Sequence, residues 1–159
     1  MAIRDIVKLV VSIAICQGAG VAGSAFIYPA IDTWYPLLIK PSFTPPAWVF
    51  MPVWITLYLL MGVAFFLVWK TGVDHPKTKV AVLAFLSQLV LTVLWTMAFF
   101  GSRELILAFI IMLVLWAAVL RTMLLFREIS RPAALLLVPY IAWLSFAVIL
   151  YSSLLALNA

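Results

Sequence analysis

Charged side chains are scarce in this chain, and their scarcity excludes an ordinary water-soluble domain. Only 9% of the 159 residues are charged, whereas 68% are hydrophobic. A soluble domain is about one quarter charged and about half apolar. A core of this size cannot bury the apolar excess, so lipid must solvate much of the surface. We therefore expect an integral membrane protein.

Residues that ligate metals, form disulfides or transfer protons are also few. The chain has one cysteine, Cys16, and one histidine, His75. A lone cysteine permits no internal disulfide and no cysteine-based metal site. The five acidic residues fall near the ends of apolar stretches or between them, so acid–base chemistry inside the membrane would lack a carboxylate or a histidine. The sequence predicts no metal site, no required cofactor and no acid–base enzyme.

What is abundant is apolar sequence in long runs. Each run has about the 20 residues that a membrane-spanning helix needs, and backbone groups in lipid must be satisfied within the helix. We predict an all-α bundle of five transmembrane helices that forms a single domain over residues 1–159. A cleavable signal peptide is the alternative for the first run, because Ala22 to Ala25 resembles a cleavage site. The predicted helices cover residues 6–28, 49–69, 80–100, 105–126 and 133–157, and loop one covers residues 29–48.

Basic residues are distributed unequally between the two ends of this predicted bundle. Lys40 and Arg103 fall on the side of loop one, and the other eight basic residues fall on the opposite side. The positive-inside rule places the N-terminus in the cytoplasm and loop one outside. A prokaryotic plasma membrane is favoured, with an outer or organelle membrane as the alternative. No basic run is interleaved with aromatics in a polar context, so nucleic-acid binding is not expected.

Loop one and the start of the second helix carry the stretch KPSFTPPAWVFMPVW, from Lys40 to Trp54. Proline fixes its own φ and restrains the preceding residue, so Pro41, Pro45 and Pro46 give the loop a defined path. Two interpretations stay open. The aromatics form a belt at headgroup depth, or the loop is a rigid lid over a pocket.

The third predicted helix bears on this choice. Gln88, Thr92, Trp95 and Phe99 share one helical face. Gln88 and Thr92 are polar at membrane depth and should face protein or ligand rather than lipid. Aromatic faces that converge with few polar groups describe a pocket for a large, flat, apolar ligand. Ordinary aromatic core packing is the alternative.

Several motifs along the chain carry a resemblance to a known family. They are Trp34-Tyr35, the stretch KPSFTPPAWVFMPVWITLYLLMG from Lys40 to Gly62, Gln88-Leu89, Trp95, Phe99-Phe100, and PYIAWLSFA from Pro139 to Ala147. The sequence resembles the translocator proteins, also called tryptophan-rich sensory proteins or peripheral benzodiazepine receptors. The resemblance implies a five-helix bundle, usually a homodimer in the membrane lipid. It also implies a pocket that is capped by loop one and opens on that side.

The resemblance further implies the ligands and the roles of individual residues. Family ligands are porphyrins and haem, benzodiazepine-type molecules and isoquinoline carboxamides. Trp54 and Trp143 match tryptophans associated with ligand contact and with light-dependent porphyrin breakdown. Two positions depart from the family pattern, because Thr92 and Tyr151 stand where members usually carry Asn. The candidate ligand-binding residues are Gly20, Gly23, Trp34, Tyr35, Pro45, Trp48, Phe50, Trp54, Tyr58, Gln88, Thr92, Trp95, Phe99, Trp116, Trp143, Phe146 and Ala147.

The function expected from pattern and resemblance together is a membrane-embedded binding protein or sensor. Its ligands would be porphyrins such as protoporphyrin IX and haem, and similar flat lipophilic molecules. Two alternatives stay open. One is an enzyme that degrades porphyrin in the light through Trp54 and Trp143, since tryptophan photochemistry needs no carboxylate. The other is a small transporter of tetrapyrroles or lipophiles.

Overall fold

The computed structural model describes residues 2–158, and these residues form a helical bundle. They contain no strand, and they form five helical segments that are long and apolar enough to cross a membrane. The prediction of an all-α, five-span membrane protein is confirmed. The helices are α1 (Ile3–Ile31), α2 (Ala47–Trp69), α3 (Pro76–Thr96), α4 (Leu105–Ile129), α5 (Arg131–Leu136) and α6 (Val138–Asn158), and α5 and α6 together make the fifth span.

The helices extend beyond the apolar runs that predicted them. Helix α1 begins at Ile3 rather than at residue 6, because an apolar run marks only the part in hydrocarbon. At its other end α1 continues through Pro29 to Ile31, and the Thr33 hydroxyl donates to the Pro29 carbonyl at 2.7 Å. Helix α2 begins directly after Pro46, whose backbone is extended. The connection between α1 and α2 is therefore shorter than predicted, at residues 32–46, and it keeps the name loop one.

A single π-helical turn, Met97–Gly101, continues α3. The Ser102 N–H donates to the Met97 carbonyl at 2.8 Å, and Arg103 then takes a positive φ of 60° as the chain turns toward α4. A π turn rotates the side chains that follow it relative to the helix before it. Phe99 and Phe100 both lie within aromatic contact of Tyr35 in loop one.

One end of the bundle, where α2 ends and α3 begins, is closely packed, and we call it the basic end. The ring of Phe85 stacks on Phe65 at 4.7 Å and on Phe126 at 5.7 Å between centroids. At the surface of this end Lys77 pairs with Glu128 at 3.0 Å. The α2, α3 and α4 segments therefore meet at this end. The opposite end, which carries loop one, is called the loop-one end.

Helix α1 changes its neighbour along its length. Near the basic end it lies so close to α2 that a Cβ on Gly62 would stand 2.7 Å from the Ile13 Cα. Nearer loop one it lies against α3 instead, where a Cβ on Gly23 would stand 3.3 Å from the Thr96 hydroxyl oxygen. The absence of side chains permits both close approaches. Because α1 leaves α2 for α3, a space opens between α1 and α2 toward loop one.

Candidate functional site

The space between α1, α2 and α3 is a cavity of about 380 Å³. We call it the first cavity. Small ligand pockets begin at roughly 300 Å³, so the first cavity is large enough for a compact ligand as it stands. Its lining residues are Gln17, Gly20, Val21, Gly23, Ser24, Ile27, Tyr28, Ile31, Ala47, Phe50, Met51, Trp54, Ile55, Tyr58, Thr92, Trp95 and Thr96.

A second cavity, of about 120 Å³, lies beneath loop one and reaches α6. Its further lining residues include Tyr35 of loop one, Phe99 of the π turn and Tyr151 of α6. Six residues line both cavities, so the two cavities adjoin each other. The residues that line both cavities are Ile27, Ile31, Ala47, Phe50, Trp54 and Trp95.

Aromatic rings form the floor and the inner wall of the first cavity. The Trp54 ring lies 5.5 Å from Tyr58 and 6.2 Å from Tyr140 between centroids. Tyr58 in turn covers Gly20 so closely that a Cβ there would stand 2.7 Å from the tyrosine ring. On the other side Trp95 stacks on Phe99 at 5.7 Å, with planes only 9° apart. Such a wall suits a flat, apolar molecule that can stack on it.

Polar groups on the cavity wall are few and mostly paired within the protein. The Thr92 hydroxyl donates to the Gln88 carbonyl at 3.0 Å and lies 2.8 Å from the Tyr140 hydroxyl. Because the Thr92 proton is used in this way, the Tyr140 hydroxyl is the donor in that second bond. The Nε1 of Trp95 and the hydroxyl of Tyr151 are buried without a partner among the described residues. Because the Thr92 hydroxyl is paired and these two atoms are buried, the wall offers mainly aromatic and aliphatic surface.

Loop one lies over the second cavity as a roof made of aromatic contacts. Trp34 meets Phe99 edge-on at 5.2 Å, and Tyr35 lies 6.0 Å from Phe100. The Lys40 ammonium stands 4.6 Å above the Tyr35 ring, a cation–π contact. Burial of the Tyr35 hydroxyl raises its pKa above the usual value.

The roof is also tied to the end of α6 by one side chain. The Asn158 Nδ2 donates to the Ile39 carbonyl at 2.8 Å, and the Ile39 N–H donates to the Asn158 Oδ1 at 2.9 Å. The same Nδ2 donates to the Leu154 carbonyl at 2.8 Å, which orients the amide. We call this arrangement the Asn158 clasp. It joins positions far apart in sequence and holds the middle of loop one in place.

The structure brings more than half of the predicted ligand-binding residues to the cavities. Gln88 and Thr92 are both about 1% exposed, which confirms that they do not face lipid. The first cavity receives Gly20, Gly23, Phe50, Trp54, Tyr58, Thr92 and Trp95, and the second receives Tyr35 and Phe99 in addition to the shared ones.

The other predicted residues line neither of these cavities within residues 2–158, and their contact with ligand stays a prediction. Trp143 lies behind Phe50, at 5.8 Å edge-on, and is followed by Phe146 at 5.6 Å. Trp116 donates its Nε1–H to the Ser145 hydroxyl at 2.9 Å, and Trp48 is 74% exposed. The members of this group are Trp34, Pro45, Trp48, Gln88, Trp116, Trp143, Phe146 and Ala147.

Sequence reasoning missed the aliphatic part of the cavity wall. Val21, Met51 and Ile55 resemble any lipid-facing residue of a membrane helix, and no local signal separates the two roles. Gln17 could have been found, because it is polar at membrane depth, the argument that identified Gln88. Its Nε2 donates to the Ile55 carbonyl at 3.2 Å and so bridges α1 and α2.

Comparisons with known proteins identify the family of this chain. The sequence model of the TspO/MBR family matches residues 12–157. The "Tryptophan-rich protein TspO" of Chlorobaculum tepidum is 39% identical over 155 residues, 98% of each chain. The protein of the same name from Archaeoglobus fulgidus is 37% identical over 155 residues, 98% of this chain and 99% of that one. The "Translocator protein" of Homo sapiens is 41% identical over 125 residues, 78% of this chain and 74% of the human one. The chain belongs to the TspO/MBR family of membrane sensors and translocators.

Proposed function

We propose that this protein binds porphyrins, such as protoporphyrin IX and haem, and similar flat lipophilic molecules, and acts as a sensor for them. The observation that carries the proposal is the pair of adjoining cavities at the loop-one end. Their common wall includes the rings of Phe50, Trp54 and Trp95. A planar ligand gains both burial and ring stacking in such a place.

The low polarity of the wall supports an apolar ligand over a hydrophilic one. Thr92 is engaged with Gln88 and Tyr140, and the Gln17 amide with Ile55. A sugar or a free amino acid would leave most of its own polar groups unpaired in this place, at a cost of about 1–3 kcal/mol for each group. Benzodiazepine-type molecules and isoquinoline carboxamides, which the family resemblance implies, meet the same requirement.

A titration of the full chain in detergent with protoporphyrin IX in the dark tests the proposal. We expect saturable binding, with Trp54→Ala weakening it at least about tenfold, or about 1.4 kcal/mol. Trp69→Ala is the matched control, because Trp69 is a partly buried tryptophan at the basic end, stacked on Phe65, that lines neither cavity. Binding that does not saturate, or that falls equally in both variants, would refute the proposal.

Light-dependent porphyrin breakdown is the second candidate, and the position of Trp54 favours it. This indole lines both cavities and lies 5.5 Å from the Tyr58 ring, so it would adjoin a bound porphyrin. Trp54→Phe keeps a ring for stacking, so dark affinity should stay within about tenfold. Under illumination, loss of the porphyrin spectrum should fall much more if the indole reacts. Trp143 lies behind Phe50 and lines neither cavity. At equal occupancy, porphyrin bound to Trp143→Phe should therefore bleach faster than porphyrin bound to Trp54→Phe.

The proposal includes a location and an assembly. We place the protein in a prokaryotic plasma membrane as a homodimer, with the N-terminus inside. The charge asymmetry supports the orientation, and the family resemblance supports the dimer. A C-terminal alkaline phosphatase fusion should be active and a green-fluorescent fusion dark, and the opposite pattern would reverse the orientation. The mass of the detergent-solubilised particle, corrected for detergent, tests the dimer.

A further inference from the structure

We infer that the ligand enters and leaves sideways, from the bilayer, through an opening between α1 and α2, while loop one stays closed as a fixed roof. The inference rests on the proposed function, since it concerns the route to that site. It differs from the expectation that the pocket opens on the loop-one side. Three features carry it: the exposed rim of the first cavity, the depth of that rim, and the fastening of the roof.

The first feature is the exposure of residues that line the first cavity. Val21 of α1 is 70% exposed, and Met51 and Ile55 of α2 are 59% and 53% exposed. A residue that both lines a cavity and is more than half exposed lies at the edge of an opening. These residues stand on the two facing helices, so the opening lies between α1 and α2. We call it the lateral mouth.

The second feature is the depth of the lateral mouth. Val21 stands about 15 Å from the end of α1 at Ile31, at 1.5 Å per residue, and Ile55 about 12 Å from the start of α2 at Ala47. The hydrocarbon core is about 30 Å thick, so the mouth extends through most of one leaflet. Its rim is apolar. A molecule in the acyl chains would meet this mouth without crossing the headgroups.

The lower limit of the mouth is set by contacts that join the two helices again. The Gln17 amide donates to the Ile55 carbonyl at 3.2 Å. The Tyr58 ring covers Gly20 so closely that a Cβ on Gly20 would lie 2.7 Å from the ring. Further toward the basic end Gly62 and Ile13 are in direct contact. The helices are therefore joined below the mouth, and they separate only in the leaflet next to loop one.

The third feature is the number of independent contacts that hold the roof. The Asn158 clasp binds both backbone groups of Ile39. Trp34 and Tyr35 pack on the π turn, and Lys40 covers Tyr35. Opening loop one would break all of these contacts together. From the Gln17–Ile55 bond to loop one, no hydrogen bond or aromatic ring contact joins α1 to α2 among the described residues. The side route therefore requires the smaller rearrangement.

The route restricts the class of ligand. A molecule that reaches the site from the acyl chains must partition into hydrocarbon, at least with its flat apolar body. A charged edge of such a ligand would stay near the headgroups, beside Tyr28 and Ile31, where the mouth is nearest to loop one. Flat amphipathic ring systems, with charge on one edge only, fit this requirement. Strongly hydrated anions do not.

The experiment narrows the lateral mouth and loosens the roof in separate variants of the full chain in lipid nanodiscs. Protoporphyrin IX is the probe, and its fluorescence gives the association and dissociation rates. The rim variant is Val21→Trp with Ile55→Trp. Its matched control is Val10→Trp with Leu59→Trp, which adds the same bulk to exposed positions of the same helices that line neither cavity. Asn158→Ala loosens the roof.

We expect the rim variant to slow both association and dissociation by about tenfold, with Kd changed by less than about threefold. The matched control and Asn158→Ala should keep both rates within about twofold of the original chain. Unchanged rates in the rim variant, or faster exchange in Asn158→Ala, would overturn the lateral route while leaving the binding site in place. Val21→Trp alone, at the most exposed of the three rim positions, repeats the test if the double variant folds poorly. Absence of saturable binding in the original chain would instead overturn the proposed function and the route together.

Discussion

The basic end and the loop-one end of this bundle use the same residue types in opposite ways. At the basic end Phe65, Phe85 and Phe126 stack into a filled core, with centroids 4.7 and 5.7 Å apart. At the loop-one end the aromatic residues Trp54 and Trp95 instead line the first cavity. Aromatic content alone therefore does not locate a binding site in this family member.

The difference originates in the path of α1. Close contact with α2 at Gly62 and with α3 at Gly23 sets a course that leaves the loop-one half unfilled. Natural cores are packed to crystal-like density, whereas the loop-one half leaves about 380 Å³ unfilled. Proteins usually break packing rules at functional sites and satisfy them elsewhere. We expect the basic end to determine stability and the loop-one end to determine binding.

The largest expected effect comes from removing a ring of the filled core. Phe85→Ala should lower the free energy of unfolding by about 3–5 kcal/mol, the usual range for a buried phenylalanine, because both stacking partners lose contact. Trp54→Ala should cost less than half of that, since Trp54 already borders a cavity. Thermal unfolding in detergent measures both. Equal losses would mean that the two ends are not divided between stability and binding.

A smaller effect is expected from the contact that directs α1. Gly62→Ala should destabilise the bundle by about 1–3 kcal/mol, because the new methyl group meets the Ile13 backbone, which cannot rotate away. Gly18→Ala is the matched control on α1. A methyl group there meets no atom of a neighbouring helix within residues 2–158, and better helix propensity should stabilise by up to about 1 kcal/mol. Reversal of these signs in the unfolding assay would contradict the assigned course of α1.

The smallest effect is expected at the roof. Asn158→Ala removes both bonds to Ile39, each worth about 0.5–1.5 kcal/mol, so the Ile39 amide should exchange with solvent about tenfold faster or more. The rest of the bundle should keep its protection. Ser152→Ala is the control, since within residues 2–158 its hydroxyl donates only to the Ile149 carbonyl of its own helix. Unchanged protection at Ile39, measured by hydrogen exchange, would show that the clasp does not hold loop one.

The five spans could be predicted because each apolar run has the length of the hydrocarbon core. The burial of Gln88 and Thr92 could be predicted for the same physical reason, the cost of a polar group in lipid. The π turn at Met97 could not, because no local pattern distinguishes it from the helix before it.

The lateral mouth and the clasp depend on tertiary structure, so the sequence carries no local sign of them. Val21 and Ile55 are ordinary aliphatic residues of membrane helices, and their role follows only from the separation of α1 from α2. Asn158 meets Ile39 across most of the length of the chain. The resemblance to the family supplied what periodicity could not, namely the expectation that loop one and α2 contribute to one pocket. Tyr35 and Trp54 do line the same cavity.

Filling the cavities tests most directly whether the loop-one end is the binding site. Ala47 lines both cavities at the start of α2, and Ala47→Trp would place an indole in the space that the ligand is proposed to use. In a dark titration with protoporphyrin IX we expect no saturable binding up to about 100 times the original Kd, a loss of about 2.7 kcal/mol or more. The unfolding temperature should be unchanged or raised, because added ring contacts offset the altered helix start. An unaltered isotherm at an unaltered unfolding temperature would place the ligand elsewhere and contradict the account.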